Sequence, residues 1–243
     1  MFMKKNQIKI NTNYGFENFH TSGEYDCVIK VLITSLSKYN HADYPLVISG
    51  GICTGKTHLL CACAAHYKKA KPKETILITN FRNILDSFIS SISMSTLNRF
   101  TNKMLSYDAV FIDDIQYLSK KFETQNELMY IFENLMLSNR RIIITSLEPF
   151  IEENGYSEKL VSCFSQGLLF KLPYPNTESK KVFIEKYFSN NSAVLDEFVV
   201  NFLAERIKDF RLLQGSLNKV LGYVKMHDKE SRQITIEELE NII

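Results

Sequence analysis

The sequence contains no long hydrophobic run and no recognisable export signal. No stretch of about 18 consecutive apolar residues occurs, so a helical membrane span is excluded. The N-terminal segment MFMKKNQIKINTN lacks the apolar region that a secretory signal requires. Internal repeats and low-complexity tracts are also missing. These absences predict a cytoplasmic globular protein without a membrane partner.

Charge of one sign is not in excess, and paired cysteines are lacking. The chain has 29 Lys and Arg against 27 Asp and Glu, and its net charge of +2 neither requires nor excludes a nucleic-acid partner. None of the five cysteines forms a C-x-x-C pair, which favours free thiols. The spacing of one group resembles a metal cluster: His58, Cys61, Cys63 and His66. A helix would turn Cys63 away from Cys61, so packing of these side chains is the favoured interpretation.

One segment, SGGICTGKTH at residues 49–58, is rich in glycine and then supplies a cation and a hydroxyl. Its glycines and the following Lys56 and Thr57 fit the phosphate-loop pattern G-x-x-x-x-G-K-[ST]. Glycine permits a backbone that turns its N–H groups toward phosphate oxygens. The alternative is a plain glycine turn. The predicted nucleotide-binding residues are Gly50, Gly51, Ile52, Cys53, Thr54, Gly55, Lys56, Thr57 and His58.

The segments on either side of this loop favour phosphate binding. Upstream, YPLVIS is a short apolar run typical of a buried strand. Downstream, THLLCACAAHYKK lacks glycine and proline and is rich in leucine and alanine, which predicts a helix. The loop amides and the positive end of the helix dipole would then meet at one point, where an anion binds well.

The rest of the chain alternates between predicted strands and helices as far as LPYPN (172–176). This alternation predicts an α/β fold with a parallel sheet and helices on both faces. We expect an N-terminal leader at 1–13, an α/β nucleotide-binding core at 14–175 and a small all-helical lid at 176–243. The predicted strands are 44–49, 74–79, 107–114, 140–146 and 167–172, and the predicted helices after the loop helix are 80–92, 96–104, 124–138, 177–188, 193–208 and 210–226.

An acidic pair ends the third predicted strand. The segment AVFIDDI places Asp113 and Asp114 at the edge where open α/β sheets bind ligands. Asp113 and Thr57 would supply oxygen ligands to Mg²⁺. Asp114 would orient or deprotonate the attacking water, with Lys56 as the second catalytic residue, because phosphoryl transfer depends mainly on positioning and charge stabilisation. The alternative is that the two acids cap the following turn.

Taken together, these motifs make the chain resemble the ATPase domain of the bacterial replication initiator DnaA, a member of the AAA+ class of P-loop NTPases. The resemblance implies ATP or ADP and Mg²⁺ as ligands. It also implies that Tyr14, Phe16 and Phe19 lie near the adenine and that Arg211 reaches the nucleotide from the lid. The matching segments are YGFENF (14–19), GGICTGKTHL (50–59), DAVFIDDIQYL (108–118), TQNELMYIFENL (124–135), IIITS (142–146) and DFRLLQGSLNKVLGY (209–223).

The chain departs from this family at positions that matter for hydrolysis. Cys163 stands where the family has the arginine finger that contacts a neighbouring subunit's ATP, and Lys159 replaces a second arginine. Leu147 replaces an acidic residue, and Cys53 replaces a glycine. A thiol cannot supply the planar, permanently charged fork of an arginine. We expect ATP binding to persist, with at most a weak ATPase, and assembly-driven hydrolysis between identical copies to be lost.

The extent of the resemblance bears on the biological role. The match ends at ITIEELENII, where the family continues into a DNA-binding domain, so we expect a regulator of replication initiation rather than a complete initiator. The size resembles the regulatory paralogue Hda, and NQIKIN is either a clamp-binding peptide or a solvated leader. The expected partner is a DnaA-family initiator, with the sliding clamp or the helicase as other possibilities. The alternatives are a helicase loader-like ATPase and a nucleotide-dependent binding module without turnover.

Single-stranded DNA is a further possible partner. The family contacts it through helices that correspond to about 81–105, and this segment holds Arg82, Arg99 and Lys103. A groove for single strands combines cations with stacking aromatics. Three aromatics recur here at helical spacing and would serve either this purpose or the core: Phe81, Phe88 and Phe100.

Overall fold

A five-stranded parallel sheet lies at the centre of the structure, which is a computed structural model that describes residues 14–19, 23, 25–38, 43–191, 195–226, 234 and 236–242. The strands, β1 to β5 in chain order, have the spatial order β2-β3-β4-β1-β5. This confirms the predicted α/β fold, and each strand overlaps a predicted one. The predicted leader, with NQIKIN, lies outside the described residues. The strands are Leu46–Gly50 (β1), Ile76–Asn80 (β2), Ala109–Asp113 (β3), Arg141–Ser146 (β4) and Leu168–Leu172 (β5).

Helices follow each of the first four strands, which is the connection that parallel pairing requires. The helices α1, α6 and α10 have no counterpart in the sequence-based prediction. Short 3-10 helices also occur at Phe16–Asn18, Ile115–Leu118 and Glu152–Asn154. The helices are Asp26–Ser37 (α1), Lys56–Ala70 (α2), Phe81–Ser93 (α3), Leu97–Leu105 (α4), Phe122–Leu137 (α5), Glu158–Phe164 (α6), Thr177–Ser189 (α7), Glu197–Arg206 (α8), Phe210–Met226 (α9) and Ile236–Ile242 (α10).

Strand β3 shows how the sheet is covered on both faces. Successive side chains of a strand point to opposite faces. Val110 and Ile112 belong to a buried apolar cluster with residues of α3, α4, α5 and α6. Phe111, between them, makes an edge-on ring contact with Tyr67 of α2, with centroids 6.0 Å apart. Residues 109–113 are therefore all buried, as in a strand with helices on each side.

The chain divides into two compact units, each with its own apolar core. The first contains the sheet and its helices, including Lys56–Leu172, and the second contains Ile52–Gly55 and Pro173–Ile243. In the second unit, Phe188, Leu203 and Leu217 belong to a cluster formed by α7 to α10. Within the described ranges, no helix is both long enough and apolar enough to cross a membrane.

Candidate nucleotide-binding site

The glycine-rich loop connects the end of β1 at Gly50 to the start of α2 at Lys56. Two of its residues have left-handed backbone conformations, Cys53 with φ 62° and Gly55 with φ 91°. Glycine adopts this conformation without strain, which explains the motif glycine at position 55. Thr54 is fully buried, whereas the side chain of Ile52 is exposed. The sequence thus produces the tight strand–loop–helix connection that the motif predicts.

Lys56 directs its ammonium toward the loop backbone. Its Nζ donates hydrogen bonds to the carbonyl oxygens of Gly50 and Gly51, both at 2.6 Å. The side chain is only 9% exposed, so the charge lies within the fold rather than in bulk water. A buried cation attracts an anion strongly. This is the arrangement that a phosphate-binding lysine needs.

Asp113 lies between two threonine hydroxyls at the carboxyl edge of the sheet. Thr57 Oγ1 donates to Asp113 Oδ2 at 2.8 Å, and Thr145 Oγ1 donates to Asp113 Oδ1. Burial raises the pKa of the Asp113 carboxyl, the neighbouring Asp114 charge adds to this effect, and the two hydroxyl bonds and Lys56 oppose it. Because Thr57 uses its proton toward Asp113, its lone pairs remain available to a cation. Mg²⁺ is typically held by one or two such protein oxygens, with phosphates and water completing the shell.

Asp114 is fixed by three polar partners. Its carboxylate accepts from Asn80 Nδ2 at 2.9 Å and from Gln116 Nε2 at 2.8 Å. Its own N–H donates to Thr145 Oγ1 at 3.0 Å, and its φ of 60° is left-handed. Asp114 occupies the position before the 3-10 helix Ile115–Leu118, yet its side chain does not cap that helix. The alternative interpretation of Asp114 as a cap of the following turn is therefore not met.

Asn80 and Gln116 were not predicted as site residues. Asn80 ends β2 and is the register partner of Asp113, so it shares the sheet edge with the acidic pair. This placement was implicit in the predicted strand at 74–79, which the polar Asn80 follows. Gln116 connects two segments, because its Oε1 also accepts from the N–H of Leu147 at 3.1 Å. No sequence pattern indicated that bond.

His58 contacts the N-terminal aromatic segment. Its Nε2 lies 2.9 Å from the carbonyl oxygen of Gly15, and its ring packs against Tyr14 and Phe19 with centroids 5.0 Å and 5.1 Å away. Burial lowers the pKa of His58. Two turns further along α2, His66 lies 3.3 Å from Ser37 Oγ. The hydrogen bonds of the two histidines therefore go to different parts of the chain.

Arg211 lies in the second unit, at the start of α9. Asp209 Oδ1 accepts from the backbone N–H groups of Arg211 and Leu212, each at 2.9 Å, and so caps the helix. The Arg211 side chain is exposed. That Arg211 contacts the nucleotide stays a prediction.

Two of the positions that depart from the family pattern lie on α6. Cys163, on α6, is 5% exposed and belongs to the main apolar core, where burial raises the pKa of its thiol to about 12. A neutral side chain packed in this way cannot reach a phosphate on another molecule. Lys159 is exposed on the same helix.

The segment 81–105 forms α3 and α4, and its three phenylalanines are core residues. Phe81, Phe88 and Phe100 are 0%, 3% and 7% exposed, so their rings are not available to stack on bases. Arg82, Arg99 and Lys103 are exposed, as are the apolar Ile89, Ile92 and Met94. A single strand of nucleic acid on this surface would therefore contact exposed cations but could not stack its bases on these three phenylalanine rings.

The chain matches the family model of the bacterial DnaA ATPase domain over residues 10–171. It is similar to the chromosomal replication initiator protein DnaA of Methylacidiphilum infernorum (isolate V4), with 29% identity over 239 residues. That alignment covers 96% of this chain and 51% of the relative, so the chain spans about half the length of the curated relative it matches.

Solved structures give the same result. Domain III of the Thermotoga maritima replication initiation protein DnaA has a TM-score of 0.85 and 29% identity, and the match covers 96% of both chains. A replication initiator DnaA bound to AMPPCP and single-stranded DNA has a TM-score of 0.80 and 26% identity, covering 92% of this chain and 70% of that one.

Proposed function

Since the chain belongs to the family of bacterial DnaA ATPase domains, which have the AAA+ fold, we propose that it binds ATP or ADP together with Mg²⁺ and regulates the initiation of chromosomal replication. The observation that carries nucleotide binding is the meeting of Lys56, Thr57 and Asp113 at the carboxyl edge of the sheet, next to the glycine-rich loop. A cation for phosphates and two oxygens for the metal are the parts that phosphoryl binding requires.

The other site residues have defined roles in this proposal. Asp114 orients the attacking water, and Asn80 and Gln116 hold its carboxylate. Tyr14, Phe16 and Phe19 provide the aromatic surface for the base, and Arg211 contacts the nucleotide. Bound Mg²⁺ would be held by Thr57 and Asp113 and would neutralise phosphate charge. The chain is at most a weak ATPase, and hydrolysis between identical copies is lost because position 163 supplies no arginine finger to the ATP of a neighbouring copy.

Calorimetric titration with ATP and ADP in the presence of Mg²⁺ tests nucleotide binding. Lys56→Ala is expected to weaken ATP binding at least about tenfold, which corresponds to 1.4 kcal/mol. The matched control is Lys69→Ala, which removes an exposed lysine of the same helix and leaves affinity unchanged. Absence of heat with either nucleotide, or equal binding by Lys56→Ala, would disprove the proposal.

We further propose that the chain docks onto a DnaA-family initiator as a terminal subunit. Its proposed ATP site could accept an arginine finger from a neighbouring subunit. Position 163 is a buried cysteine, so the chain has no arginine there to offer to a neighbour's ATP. Such a subunit can join only one end of a filament and ends its growth. Adding the chain to a DnaA-type initiator and ATP should shorten the filaments seen by electron microscopy. Unchanged filament length and unchanged ATP turnover would contradict docking.

Single-stranded DNA is proposed as a ligand of α3 and α4 because DNA is bound by the related initiator and Arg82, Arg99 and Lys103 are exposed here. With Phe81, Phe88 and Phe100 buried, we expect binding to depend on charge and to weaken strongly as salt rises. Fluorescence anisotropy with an oligothymidylate at low and high salt measures this. Salt-independent binding, or affinity unchanged in Arg99→Ala, would contradict a phosphate-contact surface.

A further inference from the structure

We propose that His58 is the residue that positions the base-binding segment against the phosphate-binding helix, and that it thereby determines the share of nucleotide affinity that the base contributes. The inference rests on the proposed nucleotide binding. It concerns a residue that follows Thr57 directly on α2 and whose side chain contacts residues 14–19.

Three contacts join His58 to that segment. The imidazole packs against Tyr14, with an interplanar angle of 35°, and meets Phe19 edge-on at 71°. Its Nε2 bonds to the Gly15 carbonyl at 2.9 Å. A carbonyl oxygen only accepts, so Nε2 carries the proton. The side chain therefore fixes both the backbone and two rings of the segment.

The environment favours the neutral ring. Burial is the main influence and lowers the pKa of His58, while the Gly15 carbonyl and the Glu17 carboxylate oppose it. A neutral imidazole with its proton on Nε2 keeps the bond to Gly15 without a buried charge. The contact is thus maintained at neutral pH.

The position of His58 in the sequence links the two halves of a nucleotide. Lys56 and Thr57 face the phosphates in the proposed site, and the next residue of the same rigid helix turn holds the aromatic segment. Tyr14 is 38% exposed, and Phe16 and Phe19 are half-buried, so part of the aromatic surface is open to a ligand. Flat bases stack on such rings. Loss of the His58 contacts would leave the phosphate residues in place and free the rings.

His66 offers a comparison on the same helix. Its ring approaches Phe16 edge-on with centroids 5.8 Å apart, and its Nε2 lies near Ser37 of α1. Its hydrogen bond thus goes to α1 rather than to the backbone of residues 14–19. Replacement of His66 therefore perturbs packing beside the segment without releasing the bond to Gly15.

The experiment compares ATP with inorganic tripolyphosphate, which has the phosphates but no base. Titration calorimetry with Mg²⁺ is carried out on the wild-type protein, His58→Ala, His58→Gln and His66→Ala. We expect His58→Ala to weaken ATP binding about tenfold, the loss of roughly one base stack, and to leave tripolyphosphate binding within about twofold. His58→Gln retains an N–H that can bond to the Gly15 carbonyl but has no ring. Its ATP affinity should therefore lie between those of the wild-type protein and His58→Ala. His66→Ala should change ATP affinity by less than about threefold.

Each outcome supports or overturns the inference. Equal ATP affinity in His58→Ala and wild type would overturn it, as would a parallel loss of tripolyphosphate binding, which would place the effect on the loop. Far-ultraviolet circular dichroism verifies that each variant is folded, and His58→Gln decides the question if His58→Ala does not fold. Failure of the wild-type protein to bind ATP at all would instead overturn the proposed function, and this inference with it.

Discussion

Cys53 occupies a backbone conformation that residues with a Cβ atom rarely adopt. Its φ of 62° costs about 1–2 kcal/mol for a residue other than glycine. Cys53→Gly should remove this strain and stabilise the protein by about 1 kcal/mol, after the larger chain entropy of glycine is subtracted. Thermal denaturation measures the change. Cys53→Ala, which keeps the Cβ and lacks the thiol, is the control, and equal stabilisation by both variants would assign the effect to the sulfur.

Asp113 makes stability depend on pH in an unusual direction for an acid. Burial raises the pKa of its carboxyl in the folded state. Between the unfolded and folded pKa values, the folded protein keeps a proton that the unfolded chain releases, so the free energy of unfolding falls as pH rises through this interval. Asp113→Asn lacks this dependence. Its threonine partners can still bond, since hydroxyls both donate and accept.

We therefore expect Asp113→Asn to be more stable than wild type at neutral pH without Mg²⁺, with the difference shrinking toward acidic pH. The variant should also lose stabilisation by Mg²⁺ and ATP. Chemical denaturation across the pH range, with and without both ligands, measures each effect. If the wild-type protein instead gains stability relative to the variant as pH rises, burial does not raise the pKa of Asp113.

At the residue scale, the sequence predicted which side chains would meet, but not all of their partners. The fixed spacing of Gly55, Lys56 and Thr57 defines a local structure, and an acid after a buried strand lies at a known edge. Asn80 and Gln116 contact Asp114 only because β2 lies beside β3 and the chain turns tightly at Asp114. Strand order comes from tertiary packing, which no local pattern specifies, and no pattern marked the left-handed turn at Asp114.

Among the secondary-structure elements, α5 carries a buried glutamine that connects three segments. Gln125 Nε2 donates to the carbonyl oxygens of Leu118 and Gly155, and its Oε1 accepts from the N–H of Ser157. Gln125→Leu would leave these buried groups without this partner and should destabilise the protein by about 3 kcal/mol. Urea denaturation measures the loss. Asn126→Ala, at the exposed neighbouring position, should stay within about 0.5 kcal/mol. Similar losses of unfolding free energy in Gln125→Leu and Asn126→Ala would show that Gln125 does not link these segments.

Strands were easier to predict than the missed helices for physical reasons. Each strand is a short apolar run, and β1, β3 and β4 are buried throughout, so composition alone identifies them. Helix α1, DCVIKVLITSLS, is rich in β-branched residues that favour strands, and packing rather than propensity makes it helical. Helix α6 is only seven residues long and begins at a serine cap, Ser157, whose Oγ accepts from Leu160 N–H.

For the whole molecule, two apolar cores imply two regions of separately measurable stability. Leu217 is fully buried in the cluster of the second unit. Leu217→Ala should cost about 3 kcal/mol and reduce amide hydrogen-exchange protection in α7, α8 and α9 more than in β1, β3 and β4. Leu212→Ala, on the same helix but 62% exposed, is the control and should change little. Uniform loss of protection across the chain would instead indicate a single cooperative unit.

The exposed ring of Tyr14 beside His58 also offers a spectroscopic handle. The sequence contains no tryptophan, so Tyr14→Trp would introduce the sole indole of the molecule. Its emission could be excited at wavelengths where the other tyrosines hardly absorb, and the ring contact with His58 makes the signal sensitive to small displacements of the segment. Occupancy of the proposed nucleotide site could then be followed in real time by light alone, without dyes or immobilisation.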